Sequence, residues 1–358
     1  MGIKSSIIRP YGKRVIQSIK AWSENALDKQ ANLAKLLVDR AILTTYGRKH
    51  QFQSVLMHKD YRKQIPVMHE HDLSPHIEAY LQGGQSILWP GTPKYLMIDK
   101  PNGKIVRAIS REASMEYYEA NKKVLLYHGM KKVNTRVLDQ KFLKLTGTIW
   151  SDRKANHTVS TLHSIINENL PSWLRPFQLP SKATNRILDA SVKLSATVDE
   201  VYGQRIGTIS ASADKLMEFK QLLDDRHGRR RLSEHLTDLK IILLNIQSKD
   251  LPQASDFIRS IDNDNIQVAK VLSSQDGVMG FQDKLDRDDM LLFLDNGIFY
   301  EFMNDTIPDN ERLWLKQVEI GEPYEILISN NSGLWSFKTG IWIEFTQKKP
   351  YRIKLLEA

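Results

Sequence analysis

Apolar residues recur three or four positions apart through the first part of the chain, which is the spacing of an amphipathic helix. Helices are predicted over three segments: 13–48, 75–81 and 110–126. Ser74 stands where the N-cap of the second helix would lie. Two short apolar runs, at 86–90 and 94–98, predict strands instead. The first third of the chain is therefore predicted to be mainly helical.

Beyond the middle of the chain the apolar pattern changes. Continuous apolar runs at 239–245 and 266–272 are typical of strands that are buried on both faces. Later, apolar and polar residues alternate, which is the pattern of antiparallel strands with one buried face. Such strands are predicted at 290–294, 297–302, 324–329, 334–337, 342–345 and 351–354. We therefore predict an α/β fold, with an α/β lobe over 1–282 and a β-rich subdomain over 283–358.

Composition limits the location and the chemistry. A chain of 358 residues with 41% apolar content can bury a large core, and no apolar run is long enough to predict a membrane span. The N-terminus lacks the apolar core of a secretory signal. The absence of cysteine excludes disulfides, thiolate metal ligands and a cysteine nucleophile. These features lead us to expect a cytoplasmic location.

Charge does not by itself indicate a partner. The net charge is +9, and the densest basic run is 226–231, where Gly228 interrupts a helical pattern. Because no aromatic residues are interleaved with this run, a nucleic-acid partner is not expected. Residues 69–72, His-Glu-His-Asp, are of metal-binding types, but the two histidines lie only two positions apart in a predicted loop. No metal site is expected there.

Short segments along most of the chain match one family in the same order. They are residues 44–52, 66–67, 72–77, 84–90, 280–283, 289–302 and 331–335. On these segments the chain resembles the Gretchen Hagen 3 family, the auxin-responsive acyl-acid amido synthetases of the adenylate-forming superfamily. No single segment is decisive, and the resemblance depends on their order and coverage.

The resemblance implies the N-terminal lobe of an adenylate-forming enzyme, with layered sheets flanked by helices and a small antiparallel β-rich subdomain at the C-terminal end. Intact members use ATP to activate a carboxylate as an acyl-adenylate. A mobile C-terminal lobe then helps to pass the acyl group to an amine. The matching residues end near 350–353, so this second lobe is expected to be absent.

The sequence departs from the family where the family binds ATP. A phosphate loop of serine, threonine and glycine is replaced by residues 98–104, in which Pro101 has no N–H to donate. A simple strand-joining turn is favoured, and the alternative is that Lys100 and Lys104 bind phosphate as point charges. Asp276 keeps a carboxylate at the metal-binding position, although an aspartate before glycine is also a common turn residue.

Three further nucleotide contacts of the family are altered. Relatives carry a glycine pair after a buried strand, beside the adenine, whereas this strand ends in residues 244–249, whose bulky side chains block close approach of the backbone. Leu272 replaces a stacking tyrosine, and Ile341 replaces an aspartate that binds the ribose. One hydrogen bond to a charged group is worth roughly 1.5–3 kcal/mol. Together these losses would remove most of the affinity for ATP.

We therefore predict a non-catalytic homologue, or pseudoenzyme, that acts by binding. In one version it binds a small carboxylate or acyl ligand in the old substrate cleft, at Ser210, Ser212 and Trp335. No cofactor is expected in this case. The alternative is a residual ATP-dependent acyl-adenylating ligase, in which the two lysines and the aspartate named above hold ATP and Mg²⁺.

A second version of the binding hypothesis involves a protein partner. The expected absence of the second lobe would uncover a face that relatives cover intermittently. Trp335, Phe337 and Trp342 are expected near this face, and exposed apolar patches usually have partners. The partner would be a second copy of the chain, an active homologue or another pathway enzyme.

Overall fold

The computed structural model describes residues 3–100, 103–131, 135–154, 156–261 and 265–357. The α-helices are α1 Ile3–Glu24, α2 Ala26–Ala41, α3 Thr45–Lys49, α4 His58–Gln64, α5 Leu73–Leu81, α6 Arg111–Lys131, α7 Leu162–Glu168, α8 Lys182–Asn185, α9 Ala190–Val201, α10 Ala213–His227, α11 Leu232–His235 and α12 Leu251–Ser260. None of the helices in this part of the chain has the length and apolarity that crossing a membrane requires.

The strands are β1 Tyr95–Ile98, β2 Ile105–Ile109, β3 Lys141–Lys144, β4 Ser151–Lys154, β5 His157–Thr161, β6 Gln178–Leu179, β7 Ile206–Ala211, β8 Ile241–Ile246, β9 Gln267–Ser274, β10 Gly277–Phe281, β11 Met290–Leu292, β12 Ile298–Met303, β13 Leu313–Trp314, β14 Pro323–Asn330, β15 Phe337–Lys348 and β16 Tyr351–Leu355. They form two sheets. The small sheet has the order β2-β1-β5-β4.

The large sheet has the order β13-β12-β14-β15-β16-β11-β10-β9-β8-β7-β3-β6. Strands β6, β3, β7, β8 and β9 pair in parallel, whereas the pairs from β9–β10 onwards are antiparallel. The parallel strands carry the continuous apolar runs because both of their faces are covered. The core follows this sheet, and Ile242 and Leu244 in β8 are fully buried.

Most of the predicted elements are confirmed. Helix α6 covers all of the predicted 110–126 except its first residue, and β1, β8, β9, β12, β14 and β16 overlap predicted strands. The predicted helix 13–48 is divided into α1, α2 and α3. The proposed N-cap, Ser74, lies inside α5, which begins at Leu73.

Two strand predictions are wrong. Residues 86–90 form no strand, because Ser86 has a left-handed backbone with φ of 49° and Pro90 has no N–H. The carbonyls of Ser86 and Ile87 instead accept hydrogen bonds from the start of α3. The strand predicted at 342–345 lies within β15, whereas of the strand predicted at 334–337 only Phe337 does, because β15 begins after a left-handed Ser336 with φ of 45°.

The large sheet continues across the predicted division between 282 and 283. Strand β10 lies before that division and pairs with β11, which lies after it, with Gly280 opposite Leu292. The two parts therefore share one sheet. Their division into an α/β lobe and a β-rich subdomain stays a prediction made from the sequence pattern.

A buried ionic network joins the first helices to the β-rich part. Glu301 in β12 is paired with Arg312, with 3.3 Å between Oε1 and Nε, and both side chains are about fully buried. His58 in α4 lies 3.1 Å from the same carboxylate, and the Ser336 hydroxyl donates to it. Burial alone would raise the pKa of Glu301, but Arg312 and these hydrogen bonds hold it below its ordinary value.

Replacement of Arg312 should destabilise the fold strongly. Arg312→Met leaves the Glu301 carboxylate buried without its cation, and we expect a loss of about 3–5 kcal/mol in the free energy of unfolding. Urea denaturation measures this loss. Arg259→Met is the matched control, because Arg259 forms an exposed ion pair with Asp256, and it should cost less than about 1 kcal/mol. Equal losses in the two variants would contradict the role given to the network.

Candidate functional site

A cavity of about 400 Å³ lies between α6, the ends of β3 and β7, and the segment 163–178. Its walls are mainly apolar, with Leu125, Phe142, Leu170 and Phe177 among the lining side chains. Strand geometry explains the lining from β3, because side chains two positions apart point to the same face. Phe142 and Lys144 therefore both border the cavity, while Leu143 points the other way into the core.

Lys144 is a cation in apolar surroundings. Desolvation lowers the pKa of its amine to about 8. Among the described residues its ammonium forms no ion pair or hydrogen bond. A buried lysine without a counter-ion is costly, because burial disfavours its charged form. The cavity is therefore bordered by a charged amine, that of Lys144, for which the described residues supply no counter-ion.

Two further basic side chains lie beside Lys144. Burial, followed by the charges of Lys144 and Lys193, lowers the pKa of His163 to about 3, so its ring is neutral at pH 7. Burial, followed by the charge of Lys215, lowers the pKa of Lys193 to about 8. Unlike Lys144, Lys193 is satisfied by the protein, because its Nζ donates to the carbonyls of Thr146 and Gly147, both at 2.9 Å.

The structure brings one of the three predicted cleft residues to this cavity. Ser210 lines it and accepts a hydrogen bond from Asn245 Nδ2 at 3.1 Å. Ser212 lies at the N-cap of α10 and is not among the lining residues. Trp335 requires a correction, because it is a core residue with 0% exposure that donates from Nε1 to the Leu88 carbonyl. A side chain without accessible surface cannot contact a ligand.

The carboxylate predicted to hold a metal is bound by an arginine. Arg107 in β2 places Nε 2.7 Å from Oδ1 of Asp276 and Nη2 3.2 Å from Oδ2. Its Nη1 also donates to both oxygens of Glu70, at 2.9 and 2.8 Å. The guanidinium lies over the ring of Phe337, 4.5 Å from its centroid. Burial would lower the pKa of Arg107, but the two carboxylates outweigh it and raise that pKa.

The two lysines of the predicted phosphate site are exposed. Lys100 and Lys104 flank the turn between β1 and β2, which pair antiparallel with Ile98 opposite Ile105. The Gly103 N–H donates to the Lys100 carbonyl at 2.8 Å, as in a tight turn. Pro101 and its neighbour Asn102 lie outside the described residues. This geometry favours the strand-joining turn over a loop wrapped around phosphate.

The other predicted changes are in the core. Leu272 and Ile341 are buried, and neither can make a polar contact with a nucleotide through its side chain. The Asn245 amide and carbonyl lie within reach of Ser210 and Ser273, so the side chain that replaces a glycine bridges three neighbouring strands. No group of three or more metal-ligand side chains occurs in the described part of the chain, including residues 69–72.

Sequence reasoning missed Arg107, Lys144 and His163. Lys144 has no clear signal, because it shares β3 with a second lysine, Lys141. Arg107 has one that could have been used, since it is a single cation inside a short apolar strand. Such residues are seldom fully buried unless they are paired or functional. His163 has no comparable signal, because its role depends on a cavity that forms between distant segments.

The comparisons with known proteins agree with this fold. The layered sheets, the β-rich C-terminal part and the flanking helices form the same fold as the N-terminal lobe of adenylate-forming enzymes. Residues 15–98 match the GH3 family N-terminal domain, and residues 291–356 match the GH3 family central domain. The resemblance seen in the sequence is confirmed, because two segments of the chain match models of GH3 family domains.

Solved structures show the same fold. The GH3.15 acyl acid amido synthetase superposes with a TM-score of 0.73 at 15% identity, covering 95% of this chain and 69% of that one. The AtGH3.15 acyl acid amido synthetase in complex with 2,4-DB gives 0.74 at 13% identity, with coverages of 96% and 70%. An open conformation of 2-hydroxyisobutyryl-CoA ligase gives 0.59 at 12%, with coverages of 91% and 72%. No curated protein sequence matches the chain.

Removal of Arg107 should convert the salt bridge into a cation-binding site. Arg107→Met leaves Asp276 and Glu70 without their shared cation, and we expect a loss of about 3–5 kcal/mol in stability. Carboxylate oxygens are ligands that Mg²⁺ accepts, so millimolar Mg²⁺ should raise the melting temperature of this variant but not of the parent. The double variant Arg107→Met/Asp276→Asn is the control and should not respond. An equal response of parent and variant would contradict the proposed geometry.

Proposed function

We propose that this chain is a non-catalytic GH3-family protein that binds a small amphipathic carboxylate in the 400 Å³ cavity. The observation that carries the proposal is Lys144, a desolvated cation without a counter-ion among the described residues, at the wall of a mainly apolar cavity. Ligand sites are usually apolar cavities with a few polar groups that fix orientation. A cytoplasmic site of action remains part of the proposal.

The chemistry of the ligand follows from what the cavity lacks. A carboxylate beside Lys144 would supply the missing counter-ion, and its apolar body would contact side chains such as Phe142 and Leu170. Hydrogen bonds between charged groups are stronger than neutral ones, at roughly 1.5–3 kcal/mol. A neutral ligand of the same shape would leave the ammonium uncompensated. The AtGH3.15 structure is described as a complex with 2,4-DB, which supports a small-molecule site in this fold.

The nucleotide side supports a protein that does not adenylate. Adenylation through Asp276 would require its carboxylate to bind Mg²⁺, and Arg107 occupies both of its oxygens. Lys100 and Lys104 are exposed in a hairpin turn, and Ile341 adds no polar group. These observations favour the pseudoenzyme over the residual ligase.

The protein-partner version has weaker support. Trp335 and Phe337 are packed in the core, with 0% and 2% exposure, and Trp342 is half-buried. Two of the three aromatic residues expected at an interface are therefore unable to contact a partner. Ligand binding in the cavity is the version that we retain.

Binding of carboxylates should depend on Lys144. Octanoate and phenylacetate are suitable probes, with octanol and phenylethanol as neutral counterparts. We expect each acid to bind at least about tenfold more tightly than its alcohol, a difference of about 1.4 kcal/mol, and Lys144→Met to abolish this preference. Isothermal titration measures both. Lys182→Met, at an exposed lysine, is the control and should bind normally.

The stability of Lys144→Met and the pH dependence of acid binding provide two further checks. Lys144→Met removes a buried cation whose pKa has fallen from 10.5 to about 8, so the variant should be more stable at pH 7, on the order of 3 kcal/mol. Binding of the acids by the parent should weaken above about pH 8 as Lys144 loses its proton. Lys144→Met should show no such pH dependence. Undiminished acid binding by this variant would contradict the proposal.

ATP with Mg²⁺ should not bind usefully. We expect a Kd weaker than about 100 μM, which corresponds to roughly −5.5 kcal/mol, because the metal position is occupied by Arg107 and other nucleotide contacts are apolar. Calorimetric titration of the parent provides the measurement. A tighter Kd, together with formation of an acyl-adenylate from octanoate, would favour the residual ligase.

A further inference from the structure

We infer that Lys144 is also a nucleophile that holds aldehyde- or ketone-bearing ligands as an imine. This inference rests on the cavity of the proposed function, but it assigns a covalent activity that carboxylate binding does not require. It stands on the position of the amine, on the contrast with a neighbouring lysine and on the neutral histidine beside it.

The position of Lys144 suits a reactive amine. Its side chain borders a cavity of about 400 Å³, which is large enough for a small-molecule ligand. Apolar surroundings favour the neutral amine, whose lone pair is the attacking group. The absence of an ion pair with a described residue leaves this lone pair available. Lysines activated in this way form imines with carbonyl compounds.

Lys193 provides an internal comparison. Burial lowers the pKa of both lysines to about 8, so the two amines would be equally deprotonated at a given pH. Lys193, however, directs its amine at the carbonyls of Thr146 and Gly147. It is not among the residues that line the cavity. We therefore expect Lys144 to be the more reactive lysine because it borders the cavity and its amine is not held by backbone carbonyls. The pKa of the amine does not distinguish the two lysines.

His163 lies beside the amine and lines the same cavity. Its ring is neutral, and its buried Nδ1 has no hydrogen-bond partner in the described structure. Gly147 keeps the ring close to the end of β3, since a Cβ at this position would lie 2.7 Å from His163 Cδ2. Because its pKa lies far below 7, the ring adds no positive charge next to the amine and can offer a hydrogen bond to the carbinolamine, while water carries the protons that imine formation moves.

The reaction is balanced without an oxidant or a reductant. The Lys144 lone pair forms a C–N bond to the carbonyl carbon, and the carbonyl oxygen gains the proton that the nitrogen releases. The resulting carbinolamine then loses its hydroxyl with a second nitrogen proton as water, and the C=N bond forms. Each aldehyde or ketone taken up therefore releases one water molecule. Hydrolysis reverses the step and frees the ligand.

Trapping by borohydride tests the inference directly. The parent protein is mixed with octanal or phenylacetaldehyde at about pH 8, reduced with borohydride, digested and mapped by mass spectrometry. At this pH Lys144 carries roughly a hundredfold more neutral amine than an ordinary lysine of pKa about 10.4. We expect a reduced adduct on Lys144 at least about tenfold above any surface lysine, with little on Lys193, and we expect octanoate to compete with its formation.

Two variants separate this inference from the proposed function. Lys144→Arg keeps the charge but cannot form an imine, so it should bind octanoate and lose the adduct. Lys193→Arg should keep the adduct on Lys144. Adducts spread evenly over surface lysines, or none on Lys144 while octanoate still binds, would overturn the inference and leave the proposed function intact. An adduct on Lys144 without octanoate binding would overturn the proposed function instead. If Lys144→Arg fails to fold, the distribution of reduced adducts over the lysines of the parent still tests the inference.

Discussion

The salt bridge of Arg107 with Asp276 and Glu70 fixes the relation between the two sheets. Arg107 belongs to the small sheet, and Asp276 lies in the turn between β9 and β10 of the large one. Because this cation is nearly inaccessible to water, its position is determined by both carboxylates at once. In a metal-dependent enzyme a bound ion would provide such a bridge when substrate is present. Here the bridge is part of the chain and is permanent.

Arg107 and Lys144, two cations on strands, have opposite relations to their surroundings. Arg107 has its charge matched by two carboxylates and an aromatic face, and it contributes to the connection of the sheets. Lys144 has no comparable partner among the described residues and reduces stability while its ammonium is charged. Perturbed groups of this kind cluster at functional sites. The first cation pairs with the carboxylate that the family resemblance assigns to a metal, and the second borders the cavity that is proposed to hold a ligand.

Periodic segments were predictable, whereas irregular backbone and long-range partners were not. Helix α6 and strands β8 and β9 followed their apolar patterns because burial on a regular element leaves a repeat in the sequence. Residues 86–90 failed because a left-handed residue and a proline overrode an apolar run. Asp276 was identified from its residue type, but Arg107 lies 169 positions away. The cavity joins segments as distant as β3 and 163–178, and no local pattern records the space between them.

The ends of the large sheet also bear on self-association. Its edge strands, β13 and β6, contain two residues each, so each edge offers few unpaired backbone groups to another molecule. Long exposed edges pair with other chains and lead to aggregation, and short edge strands are one of the ways in which proteins avoid it. A sheet of twelve strands can thus stay open at both ends without presenting a template for fibril-like growth. Cutting the chain between β10 and β11 would lose this protection, since each half would then end in a longer, uncovered strand.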